Sequence, residues 1–163
     1  MKKYAKQDQR QLATWAADCA ARVLPFFERA HPEDKRPRQA IEVCRKWVQT
    51  GEFRMADIRG ASLAAHAAAR EAKGDEAGCL AARAAGQAVA TAHVPQHAFG
   101  AAYYALKAVA AATIADAEHC VVQEYDWQVQ HISAELRPEV LKRVVIEDRK
   151  GRIFITIHKD EDY

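Results

Sequence analysis

His93-Val-Pro-Gln-His97 is the segment of this chain whose residue types and spacing come closest to chemistry. On an uninterrupted helix, imidazoles four residues apart share a face, as metal ligands often do. Pro95 works against that arrangement, because a proline disfavours helical geometry at the residue before it. His93 then closes one helix, where an imidazolium meets the negative end of the dipole, and His97 opens the next. His66 could join them from a preceding helix. Three readings stay open: a metal site, structural hydrogen bonds bridging helices, or a partner-binding or catalytic role.

The set Asp18, His66, Arg83 and Glu124 has the charges for acid–base work, but its members fall on separate helices. An isolated buried charge is costly, so such groups are expected to pair in an ion-pair network. Tyr103, Tyr104 and Lys107 suit an ordinary rim, with tyrosine rings inward and hydroxyls outward. Trp127 beside Gln128 reads first as a packing anchor. Cys19, Cys44, Cys79 and Cys120 form no CxxC or CxC pair, which argues against a thiolate zinc site. They read as buried free thiols, with a disulfide between two of them left open. The sequence contains no GxSxG, HExxH, glycine-rich phosphate loop or DxDxDG calcium loop. The expectation is a protein without catalysis, cofactor or metal.

The elements that carry these residues are helices. Between Ala56 and Ala117 about two residues in five are alanine, the strongest helix former and one that loses no side-chain entropy on packing. Helices faced with alanine approach closely, so the interior should be filled. A length of 163 residues suits one domain. The spacing predicts helices over about Asp8–Glu28, the segment bearing Ala40, Ile41, Cys44, Trp47 and Val48 up to Gly51, Met55–Lys73, and Asp75 to about His93. Further helices follow through Phe99, Tyr103, Leu106 and Val109 to Thr113, over Ile114–Ser133, and over Glu139–Ile146. Pro25 kinks the first helix or starts a second short piece. Asp34 and Asp75 are candidate caps. Ile153-Phe-Ile-Thr-Ile157 is a strand, after the turn signal Asp148-Arg-Lys-Gly151, with Val144 to Glu147 available as its hairpin partner. The fold class is all-α: an alanine-rich bundle of six or seven helices over residues 1–148. A strand-like tail, residues 149–163, packs on the bundle or on another copy.

A net charge of +2 is a small excess, implying neither a nucleic-acid footprint nor an acidic partner. Lys2 and Lys3 resemble the start of a signal peptide, but Gln7 to Gln11 is polar where an apolar core is required. No stretch reaches transmembrane length free of charge. The chain reads as cytoplasmic, with neither membrane nor nucleic acid as partner.

Arg36-Pro-Arg-Gln-Ala-Ile-Glu42, Ala64-Ala-His-Ala-Ala-Ala-Arg70 and the run from Ala81 to Ala98, with Tyr104-Ala-Leu-Lys107 and Glu124-Tyr-Asp-Trp-Gln128, carry a family likeness. Together they resemble a bacterial family of all-helical putative immunity proteins from polymorphic toxin systems, over roughly Leu12 to Leu141. The resemblance implies non-catalytic binding of a cognate toxin, with homo-oligomerisation a further possibility. It also singles out Arg38, His66, Arg83, His93, His97, Tyr104, Lys107, Glu124 and Trp127 as a functional or structural polar cluster. Gln87 stands where the family pattern favours His, and the tail beyond Asp148 looks like an addition to it. Helix one and the C-terminal segment offer the most varied surface for a partner. The rival is a small helical enzyme or metal-binding protein using His66, His93, His97 and Glu124.

Overall fold

The computed structural model describes residues 3–150, 152–160 and 163. Its order is α1 (Lys6–Ala30), α2 (Arg36–Thr50), α3 (Met55–Glu71), α4 (Glu76–Ala90), α5 (His97–Ala112), a 3-10 turn (Ile114–Asp116), α6 (Ala117–Gln130), α7 (Arg137–Arg143), β1 (Val144–Asp148) and β2 (Ile153–Ile157). The all-α class and the β-like extension stand as the sequence indicated. Pro25 neither kinks α1 into two elements nor ends it; the helix runs through to Ala30.

The centre is α4. Leu80, Ala81, Ala82, Ala84, Ala85, Ala88 and Val89 are all buried, and they take up more than half of the helix circumference. A helix apolar over so much of its surface belongs in an interior. It packs against α1, α2, α3 and α5, four neighbours that bulkier side chains on α4 would hold apart. Asp75 caps it as expected, accepting from the Gly78 N–H at 2.9 Å. At its other end the Gln9 amide donates to the Thr91 and Ala92 carbonyls, each at 3.0 Å. The Cys44 thiol donates to the Ala88 carbonyl at 3.3 Å, tying α2 to the same helix. All four cysteines are free, which closes the question of a disulfide.

Larger buried side chains stand on α1 and α5: Trp15, Phe27, Phe99 and Leu106. The Trp15 indole donates to the Gln128 carbonyl at 2.8 Å and ties α1 to α6. Among the described residues no single helix is long and apolar enough to cross a membrane.

The last helix is shorter than the sequence predicts. It ends at Arg143 rather than Ile146, because Val144, Val145 and Ile146 are β-branched and pair with Ile157, Thr156 and Ile155 in an antiparallel hairpin. Arg149 and Arg152 exchange backbone hydrogen bonds across its turn, where Lys150 takes a left-handed φ of 56°. Gly151, the glycine of the turn signal, lies outside the described residues, as does Lys2. The hairpin packs on α5. Arg143 anchors the C-terminal segment: this buried guanidinium pairs with Asp160, faces Glu139 at 3.6 Å and lies 5.5 Å from the Tyr163 ring. Asp34 does not occupy the cap position of α2, which falls to Lys35, but its carboxylate accepts the Arg36 N–H at 3.1 Å.

If α4 is enclosed this closely, Ala85→Leu should destabilise the protein by about 1–3 kcal/mol through overpacking. Ala56→Leu, on the exposed start of α3, should stay within about 0.5 kcal/mol. Urea denaturation measures both, and equal tolerance of the two substitutions would contradict the packing.

Candidate functional site

The proposed polar residues separate into two clusters and two outliers. The first cluster forms where α4 gives way to α5. Helix α4 ends at Ala90, earlier than the expected His93, and the turn through Pro95 leaves His93 exposed and starts α5 at His97. Two glycines make room for it. A Cβ at Gly86 would stand 2.8 Å from His66 Nε2, and one at Gly100 would stand 2.6 Å from Gln87 Oε1. Glycine in a helix interior is less favourable than alanine by about 1 kcal/mol, so these positions give up helix propensity for space. Into that space come His66 from α3, against α4, and Gln87 from α4, against α5. The His97 Nδ1–H donates to Gln87 Oε1 at 2.8 Å. Ser62 donates to the Gly86 carbonyl at 3.0 Å and fixes α3 in register.

The Gln87–His97 bond stands between two clefts open to solvent. One, of about 340 Å³, is lined by His66, His93 and His97 with Arg59, Ser62, Met55 and Leu63. The other, of about 450 Å³, is lined by Tyr103, Tyr104, Gly100, Ile157, Lys159 and Tyr163. Burial holds His66 below the usual imidazole value, and the charges of Arg83, Arg70 and His97 add to the effect. Burial does the same for His97, helped by His93 and Lys159. In both rings burial disfavours the charged form. Arg83 lies 5.8 Å from the Tyr104 ring, which places both beside this cluster. The three histidines line one cleft, yet among the described residues no three His, Cys, Asp or Glu side chains are placed to hold a metal ion.

Glu124 and Trp127 form the second cluster, between α1 and α6. Glu124 is only 6% exposed and accepts two bonds from Arg22 Nε, at 2.9 and 3.2 Å. The Arg22 guanidinium also covers the Trp127 ring at 4.0 Å, and His131 stacks on that ring at 4.1 Å. Burial raises the Glu124 carboxyl above its usual range, while Arg22 and Gln128 work in the opposite direction. The expected set Asp18, His66, Arg83 and Glu124 is not assembled: Asp18 pairs with Arg45 at 2.9 Å on the surface. Glu124 likewise stands on a different helix pair from the histidines. Arg38 is a surface residue held by Glu28 through two contacts of 2.6 Å. Lys107 lies 5.4 Å from the Tyr103 ring.

Sequence reasoning passed over Arg22 as the partner of Glu124, and Lys159 and Tyr163 as cleft residues. It also overlooked Gly86 and Gly100 as the makers of space. The glycines left a legible signal, since each interrupts an alanine-rich helix where alanine would be favoured. The arginine and the tail residues left none, because their partners are remote in sequence.

Gly86→Ala should expel the His66 ring from its recess and move its pKa up toward the ordinary 6.5, read by NMR titration of the imidazole. An unmoved titration would contradict the geometry. Arg22→Ala should cost about 2 kcal/mol at neutral pH, less than a fully buried pair because Arg22 is partly exposed. The part that comes from the ion pair arises while Glu124 is ionised, so the deficit should shrink, to what the Trp127 contact contributes, as pH falls through the raised pKa of the carboxyl. A deficit that is constant or grows on acidification, in chemical denaturation, would contradict the pairing.

The family model described as Imm-5 like putative immunity protein matches residues 2–135. The match spans α1 to α6 and therefore both clusters, and leaves α7 and the hairpin outside it. No curated protein and no solved structure matches the chain. With most of its length matched, the chain belongs to the Imm-5 like putative immunity protein family.

Proposed function

We propose that this protein binds a toxin and neutralises it by covering its surface, without catalysis. Family membership is the observation that carries the reading. It is supported by where the chemically capable groups stand. The histidines line an open cleft, and Glu124 is bound to Arg22 on another pair of helices, so the residues an enzyme would combine are kept apart. The interface is assigned to the face formed by α3, the α4–α5 turn and the residues after β2. That face carries Met55 and Leu63, 43% and 55% exposed, beside Arg59, Tyr103 and Tyr104. Apolar, tyrosine and arginine side chains of this kind anchor protein interfaces, which typically bury about 800 Å² on each partner.

The test is co-expression with a toxin domain encoded beside this chain, followed by titration of the purified pair. The expected result is a stable complex and full protection at molar equivalence. Protection by far less than one equivalent would mean turnover and would contradict the proposal. So would a toxin that stays active and unbound.

A further inference from the structure

We infer that the cleft between α3 and the α4–α5 turn receives an aspartate or glutamate side chain of the bound protein, flanked there by apolar residues. The inference rests on the toxin-binding reading and adds the chemistry of the contact.

The charge around the cleft has one sign. No described carboxylate lines it, whereas Arg59, His66, His93 and His97 do. The charges that bear on His66 come from Arg70 on α3, Arg83 on α4 and His97 on α5; those that bear on His97 come from His93 in the turn and Lys159 after β2. On other faces several arginines are paired within the chain: Arg22 with Glu124, Arg36 with Asp34 and Glu71, Arg38 with Glu28, Arg45 with Asp18. No ion pair among the described residues involves Arg59, Arg70 or Arg83. The Arg59 guanidinium thus lines the recess without an ion-pair partner among the described residues, and Arg83 and Arg70 add positive charge around His66, although Arg70 also feels the Glu71 carboxylate. The small net charge conceals this, because it sums over the whole chain.

The rim selects the kind of anion. Met55 and Leu63 stand exposed at the mouth and Ile58 lies beneath them. Exposed apolar side chains beside the Arg59 guanidinium suit a carboxylate on a protein, whose neighbours can cover the apolar part and exclude water. A free inorganic anion would leave that part wet. His66 and His97, whose charged forms burial disfavours in the free protein, can take up protons as the carboxylate arrives, so binding should be proton-linked.

The probe is the co-expressed toxin domain, with Arg59→Glu as the test variant and Arg29→Glu, exposed at the far end of α1, as a reversal of equal charge. Arg59→Glu should weaken the complex at least about tenfold and Arg29→Glu less than about twofold. Affinity should rise several-fold from about pH 8 to about pH 6 with proton uptake in calorimetry, and the His66→Gln, His97→Gln double variant should abolish that dependence. A complex that forms but is equally insensitive to both reversals, or whose affinity is flat with pH, overturns the inference and leaves the toxin-binding reading intact. Should no complex form, that reading fails, and a second probe decides the inference alone. The peptide Leu-Glu-Leu-Glu-Leu, blocked at both ends, should then shift the His66 and His97 resonances where its glutamine counterpart does not. Equal effects of the two peptides, or none from either, would overturn it.

Discussion

The structure depends on one steric constraint: α4 must fit among four helices at once. Side chains near the size of a methyl group over most of its surface allow that, with Leu80 and Val89 the larger exceptions, because an added methylene on an enclosed surface forces a neighbour outward. The burial of Ala81, Ala82, Ala84, Ala85 and Ala88 reflects the constraint directly. Alanine also stabilises the helix it packs, so local propensity and tertiary packing favour the same residue. The arrangement has a consequence for chemistry. A centre filled by backbone and methyl groups has little volume to spare, and polar groups are accommodated only where the packing is locally relieved.

Gly86 and Gly100 give that relief. Each removes one Cβ, and each vacancy is taken by a polar side chain from the adjacent helix, His66 in one case and Gln87 in the other. The result is a polar seam running from α3 across α4 to α5, closed by the Gln87–His97 bond and open to solvent on both sides. Across the bundle, Arg22 and Glu124 solve a different problem. A carboxylate almost fully buried between α1 and α6 is kept by a guanidinium that itself reaches solvent and stacks on Trp127. The first cluster is lined by no described carboxylate, whereas in the second the carboxylate and guanidinium are paired.

Much of the fold was legible because the signals were local. Alanine density, Gly51 with its left-handed φ, the Asp75 cap and the break at Pro95 mark most of the helices. The convergence of His66, His93 and His97 on one cleft was an open possibility, and the three do line one cleft, without a metal-binding arrangement among the described residues. What escaped was long-range. Helix α7 yields to β1 because residues 144–146 pair with residues 155–157 across the hairpin, and a helical reading of Glu139–Ile146 takes no account of a strand partner. Arg22 carried no hint of Glu124, which lies 102 residues away. Arg143 is buried for the sake of Asp160 and Tyr163 in the C-terminal segment.

Native-state hydrogen exchange is the sharpest probe of this close fit, because it reads how tightly each helix is held. If the packing around α4 governs the structure, the amides of Ala81 to Ala88 should exchange only through global unfolding, at the full free energy measured by denaturant. Those of α6 and the hairpin should open at lower cost. Exchange of the α4 amides through local openings as easy as those of α6 would contradict a structure built around that helix.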